Sequence, residues 1–438
     1  MVTAGTEYEV SHEGEEQKSI IAAELGEEKT SPDSPNPPDF GEAPDGGLRA
    51  WLVAAGGACI FFSCLGFANS FGVFQEYYMV HQLRHESRDK IAWIGSLSAF
   101  VQFAAGAIGG PLFDRFGAWI IRPAAVIYVF AMMMTSLCSE YWQFMLTQGV
   151  LMGVTMGFLQ FPAFAAVSQY FDKNRAAAFG VVVSGSSIGG VVFPIAFSKM
   201  LNDSSLGFGW SVRIMAFVII PLMAFSCAVV KARLPPRPTT FFIGAAFKDA
   251  RYIFLIASLF FMFLGMFTPL FFIPSYAVTR GMDATLASYL LAITNAASTF
   301  GRIIPGVLAD KYGRLNMFTL GGIITGIIIL CMNKAETTAA LVVYSIAFGF
   351  TSGTIISGAS AAFSLCTPDP RNVGTYMGMG MAVGSLAALI GPPVNGALVD
   401  KYEEFLQVSI FSGVMCLVGG FTALVSKTTT PQGILGRI

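Results

Sequence analysis

A full charge inside an apolar run needs a partner, and this chain places Arg302 in such a run. The surrounding stretch, Gly301-Arg302-Ile303-Ile304-Pro305-Gly306-Val307-Leu308-Ala309-Asp310-Lys311-Tyr312-Gly313-Arg314, begins as apolar helix and ends as a short charged loop. A cation in hydrocarbon costs about 2.5–3.5 kcal/mol even on the lenient insertion scale, so Arg302 is expected to face a cavity. Its planar fork matches a carboxylate, which makes it a candidate for binding an anionic group of a substrate. The competing reading is a structural arginine held by helix carbonyls or by a neighbouring acid. Its own helix offers no near acid, because Asp310 lies roughly 12 Å along the axis.

The end of that stretch occurs twice. Gly110-Pro111-Leu112-Phe113-Asp114-Arg115-Phe116-Gly117 and Gly306-Val307-Leu308-Ala309-Asp310-Lys311-Tyr312-Gly313 share the pattern Gly-x-Leu-x-Asp-basic-aromatic-Gly, 196 residues apart (310 minus 114). An acid where a helix emerges can face the positive N-terminal end of a neighbouring helix. Arg115 and Lys311 can pair with acids or lipid phosphates. Such a bridge would hold helix ends together and break when they part. Gating is therefore assigned to Asp114, Arg115, Gly117, Asp310, Lys311, Gly313 and Arg314. The bland alternative is an ordinary loop, with glycine for the turn and charges for topology. Two copies at matching positions favour the gate.

The elements that carry these residues follow from composition. Apolar residues make up 54% of the 438, charged residues only 12%, and Phe occurs 40 times. Mean hydropathy is +0.64. An ordinary soluble domain carries about 25% charge, so this is a polytopic membrane protein in a lipid bilayer. The net charge of -1 averages an acidic tail with a basic surface and gives no nucleic-acid partner. The seven cysteines have no paired spacing, hence neither disulfide framework nor metal site is expected. No phosphate loop or catalytic triad is evident either, so no cofactor and no enzyme activity are expected.

Helices of roughly 20 apolar residues cross hydrocarbon. They fall near 51–78, 91–113, 119–138, 142–170, 177–200, 211–231, 252–278, 285–309, 316–333, 338–366, 373–399 and 405–426. The expected fold is an all-α integral membrane protein of twelve transmembrane helices in two six-helix halves, 45–231 and 251–428. A cytoplasmic linker at 232–250, marked by Pro235-Pro236-Arg237-Pro238, joins them, and 429–438 is a short cytoplasmic tail. Residues 1–44 carry eleven acids against Lys18 and Lys29, with four prolines in Ser31–Pro38, and read as a disordered acidic cytoplasmic tail, of which 1–40 are expected to be dispensable. Beyond that tail, fifteen bases fall on the loops that share a side with the termini and eight on the others, which places both termini in the cytoplasm. Asn202-Asp203-Ser204 is a possible glycosylation sequon at Asn202, close to two helix ends. Prolines such as Pro194 and Pro305 within the spans require that neighbours or a cavity satisfy the carbonyls they free.

The repeated loop resembles the signature of the major facilitator superfamily. Asp45-Gly46-Gly47-Leu48-Arg49-Ala50-Trp51, leading into the first helix, is similar to the first-helix motif of the monocarboxylate transporter family, with Leu48 where an aromatic is usual. Ser70-Phe71-Gly72-Val73-Phe74-Gln75-Glu76-Tyr77-Tyr78 and Tyr170-Phe171-Asp172-Lys173-Asn174-Arg175-Ala176 are similar to fungal members. The run Gly185-Ser186-Ser187-Ile188-Gly189-Gly190 faintly resembles a motif of drug exporters, with Ser186 in place of proline. The resemblance implies alternating access without ATP and a substrate carboxylate at Arg302. Animal lactate carriers of this family have a lysine and an aspartate where this chain has Asn69 and Ser298. With Arg302, those two complete the candidate substrate site. Their identity weakens proton–lactate symport of the animal kind; Glu76, His81 and His85 are replacement proton carriers and read more simply as surface groups. The implied function is secondary active transport of a small organic solute, an organic anion or secondary metabolite, with export favoured and protons as an optional coupling ion. Uptake of a nutrient monocarboxylate or a riboflavin-like compound is the alternative, and a transporter-like solute receptor the alternative from another class. A plasma-membrane monomer is expected.

Overall fold

In the computed structural model the described residues are 41–202, 204–236, 241–367, 369–430, 432–433 and 436–437. Positions 1–40 of the expected tail, Asp203 of the sequon and Arg237-Pro238 of the linker lie outside them. Residues Ala43–Ile438 form one compact unit. Its regular elements are all helices among the described residues, because in lipid each backbone N–H and C=O must be satisfied within its own segment.

Twelve spans follow in order. The first, α1, is broken into Gly47–Ala68 and Phe71–Val80, and α2 into Arg88–Ala104 and Gly106–Phe116. Then come α3 (Ile121–Thr135), α4 (Tyr141–Ser168), α5 (Arg175–Asn202) and α6 (Gly207–Val229). The second six are α7 (Ala250–Thr279), α8 (Ala284–Tyr312), α9 (Arg314–Leu330), α10 (Thr338–Phe363), α11 (Val373–Tyr402) and α12 (Leu406–Thr428). Among the described residues, nine helical stretches are long and apolar enough to cross a membrane. One of them, Lys90–Thr135, is 46 residues and roughly 69 Å long, about twice the hydrocarbon thickness, and turns at Gly117 into α2 and α3. The shorter α9 and the more polar α8 complete the twelve. Thr294, Asn295, Ser298 and Arg302, all buried, are what dilute the hydropathy of α8.

Local chemistry sets the starts of several helices. Ser87 caps α2 by accepting from Lys90 N, Asp249 caps α7 by accepting from Arg251 N, and Thr337 caps α10 by accepting from Ala340 N. Gly117 and Gly313, at φ 71° and 106°, make the turns after α2 and α8 in a region that favours glycine. The first span, expected as one helix, bends instead at Asn69-Ser70, and α4 holds a π-helical turn at Met145–Leu151.

The two halves meet along α2 with α11 and α5 with α8. At Gly110 a Cβ would stand 2.0 Å from the Gly374 carbonyl oxygen, so the backbones of α2 and α11 touch there. Such approach needs residues without side chains. Two of the prolines have identifiable consequences. Pro194 has no N–H for the Gly190 carbonyl four residues earlier, and Asn295 Nδ2 of α8 donates to that oxygen at 3.4 Å. Pro305 likewise frees the Gly301 carbonyl, to which Thr354 Oγ1 of α10 donates at 3.2 Å. Both repairs flank Arg302.

Candidate functional site

Two carboxylates join the halves on the face where α1 begins and α12 ends, called here the terminal face. Asp114, buried at the end of α2, accepts through Oδ2 from the Thr375 N–H at 2.6 Å and the Thr375 hydroxyl at 2.6 Å. Thr375 is in the first turn of α11, whose leading N–H groups lack intrahelical acceptors. Asp310, at the matching place on α8, accepts from Ala176 N at 3.0 Å and Ala177 N at 2.8 Å, in the first turn of α5. Each acid thus sits on the positive end of a helix from the other half, where charge and dipole attract. Hydrogen bonds to a charged acceptor contribute roughly 1.5–3 kcal/mol each.

The bases of the repeated loop behave differently from one another. Arg314 Nε donates to Asp310 Oδ1 at 3.1 Å, and its Nη2 donates to the Asp172 carbonyl of the loop before α5. Arg437 Nη2 donates to the Asp310 carbonyl at 3.0 Å. Arg115 and Lys311 instead lie over the neighbouring rings of Phe116 and Tyr312, at 5.6 and 5.4 Å from the centroids.

The first-helix motif reaches the same loop. Asp45 Oδ1 accepts from Asp172 N at 2.7 Å and Asn174 N at 3.2 Å, while Asn174 Nδ2 donates to the Asp45 carbonyl at 3.1 Å. Asp45 is left-handed at φ 51°, followed by Gly46 and by Gly47 at φ 82°, so the chain turns sharply into α1. Trp51 then meets Phe171 edge-on, with centroids 5.1 Å apart. The motif fastens the start of α1 to the loop that presents α5 to Asp310. Asn202 lies in the last turn of α5 and is exposed, its Nδ2 3.5 Å from Ser198 Oγ.

At mid-bundle, Arg302 is 5% exposed and faces α5. Its Nη1 donates to the Val183 carbonyl at 2.8 Å and to Ser186 Oγ. Its Nε is buried without a hydrogen-bond partner among the described residues. Asn69, at the bend of α1, donates to the Ser186 carbonyl at 3.5 Å. Arg302 and Asn69 therefore converge on Ser186. Ser298 does not join them, because its hydroxyl lies against Gly353 of α10, 2.9 Å from where a Cβ would stand. Ala297 lines an apolar groove of about 420 Å³ with Phe300, Ile328, Ile346 and Phe350, between α8, α9 and α10. Glu76, His81 and His85 are all exposed. Sequence reasoning passed over Thr375 and Asn295. Pro194 held the signal for Asn295, since its missing N–H leaves a carbonyl that some donor must meet.

Twelve spans in two joined halves, with buried polar groups between the halves and matched acids closing one face, define a membrane carrier. The chain belongs to the Major Facilitator Superfamily, whose family model matches residues 56–332 and 300–435. It is 48% identical over 399 residues to the "Aspyridones efflux protein apdF" of Emericella nidulans, covering 91% of this chain and 82% of that protein. It is 40% identical over 392 residues to the "Agnestins efflux protein AgnL12" of Paecilomyces divaricatus, covering 88% and 89%. The crystal structure of the human organic anion transporter MFSD10 (TETRAN) shares the fold at a TM-score of 0.71 and 13% identity, over 86% of this chain and 100% of that one. The protein is a transporter of a small organic solute and not an enzyme.

Proposed function

We propose that this transporter exports an anionic secondary metabolite by alternating access, from a cytoplasm that the terminal face borders. The observation that carries the anion is Arg302, a buried guanidinium between the halves whose partners, Val183 O and Ser186 Oγ, are neutral. No salt bridge to it is present among the described residues. A guanidinium so placed keeps its full charge available to a carboxylate or enolate oxygen once α5 moves away. Export is supported by the relatives named for efflux of aspyridones and agnestins. The orientation is supported by the excess of bases on the terminal face. Asp114 and Asp310 act as the gate in this reading, with Arg314 bracing Asp310, Gly117 and Gly313 turning the loops, and Arg115 and Lys311 facing headgroups. The halves 45–231 and 251–428 move as bodies about the linker 232–250, in a plasma-membrane monomer.

Comparison of a carboxylate substrate with its neutral ester tests the anion reading. Metabolite profiling of cells and medium, with and without the gene, supplies the substrate and reads the direction. Arg302→Lys keeps charge but loses the fork, so it is expected to weaken carboxylate transport strongly and leave the ester unchanged. Arg302→Ala is expected to weaken it further. Equal loss for acid and ester would make the arginine structural and remove the anion from the proposal.

A further inference from the structure

Two buried donors of α8 meet separate acceptors on α5. Asn295 and Arg302 are each 5% exposed and stand seven residues apart, so they share a helix face at roughly 10 Å separation. Asn295 Nδ2 donates to the Gly190 carbonyl that Pro194 frees, and Arg302 Nη1 donates to Val183 O and Ser186 Oγ. Gly190 is packed so closely that a Cβ there would stand 2.8 Å from Asn295 Oδ1 and 2.7 Å from Asn69 Nδ2. The donors belong to one half and the acceptors to the other. When the halves part at the terminal face, α5 withdraws the acceptors and the donors stay on α8.

A buried donor left without a partner costs roughly 1–3 kcal/mol, and more when charged. Asn295 retains its bond to the Leu291 carbonyl of its own helix, at 3.0 Å, which occupies one amide proton and leaves the other. Arg302 retains nothing described, and its Nε lacks a partner already. The loaded site therefore offers two separated donor positions, one cationic and one neutral, with hydrocarbon-like surface between and around them.

We propose that the substrate takes the place of α5 at both positions. It is an elongated molecule with an anionic oxygen for Arg302 and an uncharged oxygen acceptor about 10 Å away for Asn295. The second point rests on the reading of Arg302 as the anion site and adds a distance to it. Release follows from the same geometry. As the terminal face closes, Val183 O, Ser186 Oγ and Gly190 O return to these donors and compete with the substrate, whose remaining way out is the opposite face. Ser186 and Asn295 thereby become release and specificity residues.

Three probes separate the points: the monomethyl ester of sebacate carries both oxygens, decanoate only the anion, and dimethyl sebacate only neutral acceptors. Binding of each to the purified full-length protein is measured calorimetrically. The wild type is expected to hold the monomethyl ester roughly two- to tenfold tighter than decanoate, the factor of one neutral hydrogen bond. Asn295→Leu should erase that ratio, with decanoate still bound; Asn295→Ala replaces it should leucine crowd Gly190 and prevent folding. Arg302→Gln should weaken both anions at least about tenfold and leave dimethyl sebacate alone. Persistence of the ratio in the Asn295 variants, with Arg302→Gln still impaired, overturns the second point only. If Arg302→Gln binds both anions as the wild type does, the anion reading fails with it. Failure of the wild type to bind either anion overturns the two-point site.

Discussion

Asp310 takes four described bonds, three on its carboxylate and one on its carbonyl, and the carboxylate bonds respond differently to one substitution. In Asp310→Asn a single carbonyl oxygen can meet Ala176 N or Ala177 N but not both, and the new amide N–H₂ faces donors. The Arg314 pair loses its charge as well. Asp114→Asn is milder in geometry, because Thr375 approaches one oxygen with both of its donors. Thr375→Val is milder still, since the N–H remains and only the hydroxyl bond to the carboxylate is lost, about 1.5–3 kcal/mol. We expect transport per surface-expressed molecule to fall in the order Thr375→Val, Asp114→Asn, Asp310→Asn, with abundance retained in each. Export assays normalised to surface labelling check this, and normal transport by both acid variants would return these residues to a role in topology.

At the level of helices, the joints depend on backbones that touch. Gly110→Ala pushes a Cβ to 2.0 Å from the Gly374 carbonyl oxygen, and neither partner there is a side chain that can swing away. Gly117→Ala, three residues past Asp114, meets nothing nearer than Ala232 Cβ at 3.7 Å and is penalised only by φ 71°. Gly110→Ala is therefore expected to abolish closure of the terminal face, and Gly117→Ala, whose φ 71° and ψ −162° lie in a region essentially restricted to glycine, to cost about 1–3 kcal/mol of stability while Asp114 keeps its bonds to Thr375. Thiol reagent access from the terminal face, to a cysteine placed at Ala177, separates the two. The same contrast explains what sequence reading reaches. The repeated Asp loop is legible because acid, base and glycine are written side by side. Its partners are not, because Ala176, Ala177 and Thr375 answer with backbone N–H groups, which every residue but proline has. Asp114 and Thr375 are also 261 positions apart. The bend at Asn69-Ser70 carries neither glycine nor proline; there Ser70 N turns to the Phe67 carbonyl, its hydroxyl donates to Gly66 O, and Asn69 reaches the Ser186 carbonyl of α5. Ser298 faces Gly353 of α10 while Arg302, one turn on, faces α5, since one turn along a helix can exchange the facing neighbour.

Across the whole molecule the two joints act on one equilibrium. Asp114 ties α2 to α11 and Asp310 ties α8 to α5, so no residue serves both. If each half moves as a body, opening breaks both joints together, and their contributions add. Loss of about 1.4 kcal/mol at either joint shifts the closed-to-open ratio tenfold, and loss at both shifts it about a hundredfold. Two joints of this size suit a carrier, because a much stronger seal would hold one state through the cycle. Spin labels at the exposed positions Lys173 and Thr428, one on each half, report that ratio as a distance distribution, in a background where exposed Cys331 is serine. Asp114→Asn and Asp310→Asn are each expected to populate the longer distance, and the double variant to populate it by the product of the two shifts. A double variant no more open than the singles would show that one joint already governs closure and that the halves do not part as two bodies.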